Sequence, residues 1–296
     1  MHRNVTIISY FLAVLLMLTQ LISHPCFRNE RITSTAKKYE SRLGNGCYHV
    51  FIDAGSNRGV HGRFLFEPEK YPQSEFSKKL DIVFGGNRTR QNICVFAFEP
   101  NPKHISSQCT TEVFYARMGW RYHFMPYGVS DSGGNLTFYR NQLLNCNGNC
   151  EEWGFSTVSA AGGPNDTDSI VVNVLNFSSW LEKHILARDI PEKNSYNILP
   201  SSLVMKMDIE GSEYQVLLNL LESGVSHKFD HIIGEFHSHH GNSHVINGIV
   251  MQNAEVADFE KNLTSRLQAN GGPGFLEFDD EQYLHDGMEY PIQNNN

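Results

Sequence analysis

The stretch that most constrains this chain is FIDAGSNRG, Phe51 to Gly59, where apolar residues meet an acid and then two glycines four positions apart. A buried strand that ends in an acid and breaks at glycine is how an α/β sheet presents backbone to a nucleotide-like ligand. Gly55 and Gly59 permit the turn and a close approach, and Asp53 places a carboxylate at the strand's carboxyl end. Alone, the motif fits a plain βα turn as well as it fits a ligand loop.

The chain has 296 residues, 40% of them hydrophobic and 11% aromatic, enough for one large globular α/β domain with additions or for two small domains. Its formal charge is −8 with no long basic run, which excludes nucleic acid as the expected partner, since phosphate neutralisation needs clustered Lys and Arg. Val5 to Ile22 carries no charge and follows Arg3. At about 1.5 Å per residue it reaches about 27 Å, enough for a thin bilayer, and Leu21 spoils a cleavage site after Ser23. Residues 1–23 are therefore expected to be a signal anchor, with a cleaved signal peptide as the alternative. The cations Arg28, Arg31, Lys37 and Lys38 favour a cytosolic body. Acceptor sequons at Asn87, Asn135, Asn165, Asn176 and Asn262 and a loop pair, Cys146 and Cys150, favour the lumen of the endoplasmic reticulum or Golgi. The lumenal reading is adopted, with secretion if the anchor is cleaved.

Residues 24–46 read as a polar stem and 47–290 as the folded domain. HVFIDAG is its first strand. Pro68, Pro72 and Gly85-Gly86 mark residues 62–92 as an insertion over the ligand side of the sheet. NICVFAFEPNP is a second strand ending at Glu99, followed by a helix with Ile105, Cys109 and Val113 on one face. RYHFMPYGVSD reads as a third strand ending at Asp131, and NLTFYRN as a short extra one. A Cys-bearing loop spans 141–168. SIVVNVLNF is a strand, and SSWLEKHIL a helix capped by Ser178 or Ser179. LVMKMDIEG, 203–211, is a core strand. A helix follows, with Ser212 and Gln215 as capping box, an apolar stripe from Val216 to Leu221, and Gly224 as its stop. HIIGEFH is another strand, then come a helix from Asn253 to Ala269 and a strand at GFLEFDD. Strands alternating with helices predict a doubly wound, mainly parallel sheet.

Asp53 and Glu99 both end strands, and the acid after a second strand is placed to accept hydrogen bonds from ribose hydroxyls. The turn lacks the middle glycine of G-x-G-x-x-G, which disfavours a dinucleotide and a nicotinamide oxidoreductase. An adenosyl ligand with a sulfonium and an amino-acid tail suits an acidic, phosphate-free site. Period-two alternation puts Val204, Lys206, Asp208 and Glu210 on one face of their strand, and His231, Ile233, Glu235 and His237 on one face of the next. A Lys206–Glu235 ion pair is the structural reading. The functional one places Asp208, Glu210 and His237 at the open strand ends, with His237 as a general base. Glu235, His237, His239, His240 and His244 suggest a metal, but their spacing matches no helix-based ligand set and no metal is expected.

In order and spacing, FIDAGSNRG, FAFEPNP, YGVSDSGGNLTFY, LVMKMDIEGSEYQVL and IIGEFH resemble the FkbM family of S-adenosylmethionine-dependent methyltransferases over about residues 48–240. The resemblance implies a seven-stranded class I methyltransferase fold and methyl transfer to a hydroxyl, often on a sugar or sugar-like acceptor. Asp53, Gly55, Asn57 and Gly59 would hold the methionine part of S-adenosylmethionine, Glu99 its ribose, and Ser130 and Asp131 would lie near the adenine. Lys206, Asp208 and Glu210 match the family's K-x-D-x-E-G motif at the reaction side, where Asp208 or His237 would remove the proton. The competing class is a lumenal glycan-binding or scaffold protein that kept the fold and lost catalysis.

Overall fold

Mainly apolar runs bounded by turn residues form the centre of the molecule, because a strand covered on both faces has no solvent side to show. β1 (His49–Ala54), β2 (Ile93–Phe98) and β8 (Leu203–Met207) are buried at every position. In the computed structural model they lie in one six-stranded sheet of order β12-β9-β8-β1-β2-β3. The outer strands are β3 (Arg121–Met125), β9 (His231–Gly234) and β12 (Phe275–Glu277), and every neighbouring pair is parallel. The structure describes residue 26 and residues 42–85, 90–140, 155–157, 169–192, 199–237, 243–246 and 249–278. Among the described residues the main sheet thus has six strands where seven were expected. The anchor at 1–23, most of the stem, and Cys146 with Cys150 lie outside them. Among the described residues no helix is long and apolar enough to cross a membrane.

Sheet order reverses direction of winding between β1 and β8: from β1 the chain runs through β2 to β3, then crosses back to β8 and on to β9. The carboxyl ends of β1 and β8 therefore flank a topological switch point, the place where α/β sheets open a ligand crevice. A disulfide, Cys47–Cys94, ties the approach to β1 to its neighbour β2. The sequence reading missed this pair, whose members are 47 residues apart.

Several local expectations are corrected. The glycine turn leads straight into α1 (Val60–Phe66), a helix the proline and glycine content of residues 62–92 concealed; Pro68 opens a 3-10 turn after it, and α2 (Glu75–Phe84) follows with Ser74 as its cap. The third strand is two: it ends at Met125, before Pro126, and β4 (Gly128–Ser130) joins another sheet. That second sheet has the order β4-β7-β5-β6, where β5 is Gly134–Arg140, β6 is Phe155–Ser156 and β7 is Ser169–Asn176. SIVVNVLNF therefore stands outside the main sheet. Asn176, not Ser178 or Ser179, caps α4 (Phe177–Leu181), accepting from the Ser179 N–H at 2.9 Å.

In α3 (Ile105–Arg117) the buried face carries Gln108, Thr111, Glu112 and Tyr115, while Ile105 is 36% exposed. Cys109 and Val113 are only half-buried, so the expected apolar stripe is not the packed face; this helix binds its neighbours through polar groups. Gln108 donates to Ser56 Oγ at 2.9 Å and to the Asn57 carbonyl at 2.7 Å, and accepts from the Tyr122 hydroxyl. α5 (Glu213–Glu222) buries Val216, Leu217 and Leu220 and stops at Gly224, whose φ is 70°. Ser212 makes no side-chain cap, so the Ser212–Gln215 capping box does not form. β10 (Ser243–Ile246) and β11 (Ile249–Gln252) form a hairpin, and α6 (Asn253–Ala269) begins with a capping box of Gln252 and Glu255.

Candidate active site

The cavity opens at the carboxyl ends of β1, β2 and β8. Its first wall is the turn after β1. Gly55 adopts φ 78°, and a Cβ there would stand 1.7 Å from the Asp208 carbonyl oxygen, so no other residue fits. Gly55 and Ser56 donate their N–H groups to the Phe98 carbonyl at 3.0 and 2.9 Å. Asn57, at φ 48°, donates its N–H to Glu99 Oε2 at 2.8 Å, and Asn101 donates to Glu99 Oε1 at 2.8 Å. Glu99 is thus both the clamp on the turn and part of the cavity wall. Burial raises its carboxyl to about 7 against the pull of those two backbone donors.

Asn57 lines the cavity with a buried side-chain oxygen that has no hydrogen-bond partner among the described residues. Asp53, fully buried, lies beneath the floor rather than in the lining. Neither of its carboxylate oxygens has a hydrogen bond among the described residues, and His61 Nδ1 and Lys206 Nζ stand 3.6 and 3.8 Å from Oδ1. Burial raises Asp53 to about 7, opposed by Lys206 and reinforced by Asp208 and Glu99. His61 is pushed well below the ordinary imidazole value by burial and by Lys206. Gly59 sits at φ 82° under the Tyr122 hydroxyl, holding the turn without entering the cavity lining. Ser130 and Asp131 also stay out of the lining; their neighbours Tyr127, Gly128 and Val129 supply that wall.

The second wall is the turn after β8. The strand ends at Met207, and Glu210 takes φ 56°, so the alternation expected through residue 210 stops short. Lys206, buried between strands, donates to the Gly55 carbonyl at 2.8 Å and to Asp208 Oδ2 at 3.0 Å. Its ion pairs are with Asp208 and Asp53, and the Lys206–Glu235 pair is not formed; in register Lys206 faces Ile233. Asp208 and Asp53 hold the ammonium above its ordinary value although burial works against it.

Glu213, fully buried, accepts from the N–H groups of Ile209 and Gly211, both at 2.9 Å. The same carboxylate takes His237 Nδ1 at 2.8 Å, where the ring N–H is the donor. His237 Nε2 then lies 3.5 Å from Asp208 Oδ1 and 3.6 Å from Glu210 Oε2. Burial disfavours the charged ring, but Glu213, Glu210 and Asp208 outweigh it and raise His237 to about 10. Burial raises Glu210 to about 8, with His237 opposing.

The second sheet closes this end. Ser156 donates to the Glu210 carbonyl at 2.5 Å, Thr157 and Ser212 share a hydroxyl contact at 2.9 Å, and Phe138 stacks on Phe155 in the cavity wall. Glu213, Gln108, His61 and the Phe138–Phe155 pair were missed by sequence reasoning. Only Glu213 left a signal there, as an acid in the first turn of a helix that follows a strand-end acid.

The model of the methyltransferase FkbM domain matches residues 53–267, most of the chain, from Asp53 through both turns and into α6. The chain belongs to the FkbM methyltransferase family. No curated protein and no solved structure is significantly similar to it. The family model thus begins at Asp53, one residue before the end of β1, and includes both strand-end turns that build the cavity.

Proposed function

We propose that this FkbM-family protein is an S-adenosylmethionine-dependent O-methyltransferase that acts on a hydroxyl of a glycan or sugar-like acceptor in the secretory pathway. The observation that carries this reading is the make-up of the cavity. Glu99, Asp208, Glu210 and Glu235 line it against Arg58 and Lys206, and Lys206 is already engaged by Asp208, Asp53 and a carbonyl. Such a wall repels a pyrophosphate and attracts a cationic ligand.

The residues present fit S-adenosylmethionine. Asn57, with its unpartnered side-chain oxygen, and the backbone carbonyls of Gly55 and Ser56, which keep accepting capacity, would hold the ammonium of the amino-acid tail. Glu99 would hold the ribose hydroxyls, since each carboxylate oxygen keeps accepting capacity beyond its one backbone bond. Asp53 acts from beneath, charging the floor under the turn. When bound, S-adenosylmethionine supplies an electrophilic methyl group on its sulfonium and leaves as S-adenosylhomocysteine. The chain's own part is to orient the acceptor oxygen and to take its proton. That proton goes into the carboxylate cluster of Asp208, Glu210 and Glu235. His237 already shares a proton with Glu213, so it serves to position Asp208 and Glu210 rather than as the base.

The disulfide Cys47–Cys94, with no free cysteine among the described residues, supports an oxidising compartment. The decisive experiment is a thermal shift with S-adenosylhomocysteine, followed by transfer of a labelled methyl group to a panel of glycans. A shift that disappears in Glu99→Ala is expected. No shift at millimolar ligand overturns the cofactor assignment and favours a glycan-binding scaffold.

A further inference from the structure

We infer that Asp208, Glu210 and His237 form a binding site for one divalent transition-metal ion at the reaction end of the cavity. One ligand atom from each residue lies within 4.8 Å of the other two. The separations from His237 Nε2, 3.5 Å to Asp208 Oδ1 and 3.6 Å to Glu210 Oε2, are those of ligands sharing an ion with bonds of about 2.0–2.2 Å.

The supporting contacts point the same way. Glu213 holds Nδ1 of His237 and so presents Nε2 to the two carboxylates, the carboxylate–histidine arrangement that orients metal-bound imidazoles. Lys206 holds Oδ2 of Asp208 and turns Oδ1 toward the same centre. The Ser156 hydroxyl fixes the Glu210 carbonyl, and with it the backbone that carries the third ligand. Charge is a separate argument. Four carboxyl groups, Asp208, Glu210, Glu213 and Glu235, converge here against two basic side chains, Lys206 and His237. A divalent ion offsets that surplus.

Two carboxylates and one imidazole suit a borderline ion such as Mn2+ or Zn2+. The three protein ligands leave coordination positions on the cavity side. There a hydroxyl oxygen of the acceptor would bind the ion and become more acidic, and its proton would pass to Glu235, a lining carboxylate that is not one of the ligands. This favours acceptors with two neighbouring hydroxyls that chelate together. That role rests on the methyl-transfer reading, whereas ion binding does not.

The test uses tag-free, chelator-treated full-length protein titrated with MnCl2, and separately with ZnCl2, by calorimetry and by Mn2+ electron paramagnetic resonance. One ion per chain is expected. Affinity should fall at least tenfold in Asp208→Asn and in His237→Ala, and about 10–100-fold in Glu213→Gln, which removes only the orienting carboxylate. The double variant His239→Ala/His240→Ala should bind as the parent does. Asp208→Asn keeps its volume at a partly exposed position, so it tests the site even where His237→Ala does not fold. No uptake of either ion at millimolar concentration, or equal uptake by Asp208→Asn, overturns the site. Loss of binding in the His239/His240 double variant alone does so too. A thermal shift with S-adenosylhomocysteine on the same samples separates the two readings. Ion uptake without that shift overturns methyl transfer and leaves the ion site standing; the shift without ion uptake overturns the ion site alone.

Discussion

The turns after β1 and β8 are built alike and used differently. Each holds one non-glycine residue at positive φ, Asn57 in the first and Glu210 in the second. Each is pinned by a single buried carboxylate that accepts two backbone N–H groups, Glu99 from Asn57 and Asn101, and Glu213 from Ile209 and Gly211. A strained turn persists where its surroundings over-determine it, and here the same device does so twice. The difference lies in where the clamp faces. Glu99 belongs to the cavity wall and can touch a ligand itself, whereas Glu213 is sealed off and acts on the cavity indirectly, through the turn at Ile209 and through His237. One clamp is thus also a binding group; the other is a positioning group.

Gly55→Ala should break both turns at once, because its Cβ would meet the Asp208 carbonyl at 1.7 Å. Left-handed strain and the clash together should cost on the order of 3 kcal/mol of stability, read by denaturant unfolding, and abolish both cofactor binding and turnover. An Ala variant with normal S-adenosylhomocysteine affinity would show that the turns are independent. Glu213→Gln should then separate them. Its expected signature is about a hundredfold fall in kcat, some 2.7 kcal/mol, with S-adenosylhomocysteine affinity within about twofold of the parent. Glu99→Gln should give the reverse: about tenfold weaker S-adenosylhomocysteine binding by calorimetry, about 1.4 kcal/mol, and a smaller change in kcat at saturating cofactor. If both variants lose affinity and turnover in equal measure, the division of labour fails.

Glu112 gives the smallest and most local test. It is a buried carboxyl on α3 that draws one backbone N–H, from Phe124, and burial raises it to about 8. Its folded value lies above its unfolded one, so its contribution to stability is fully present below about pH 4.5 and is lost as pH rises toward about 8. Glu112→Gln should therefore raise the melting temperature more at pH 8 than at pH 5, a difference on the order of 1 kcal/mol. An equal change at both pH values would mean that this carboxyl does not titrate in that window.

What could be read from the residues follows the same physics. β1, β2 and β8 were legible because strands buried on both faces are continuous apolar runs, and α5 because its apolar residues recur at helical spacing. Lys206, Asp208 and His237 were legible because ionisable groups in or beside such runs need a reason to be there, and the structure brings them together. The second sheet was hidden by its short strands and by Pro126, which divides what looks like one strand into two. The packing of α3 was hidden because its buried face is polar, and a periodicity of apolar residues carries no trace of Gln108 reaching Ser56 and Asn57. Alternation also mistook the path after Met207, since a left-handed residue such as Glu210 resets which way the following side chains point.

Lys206 has a further consequence for the order of events. Its ammonium holds the Gly55 carbonyl and the Asp208 carboxylate together, and the Asp208 N–H in turn bonds the Ala54 carbonyl at 3.0 Å. The two turns therefore share one set of fastenings. A molecule that stiffens the first leaves less motion to be lost when a second settles against the other, so each occupant strengthens the hold on its companion. By reciprocity the benefit is equal in both directions, and methyl donor and acceptor should saturate the protein cooperatively.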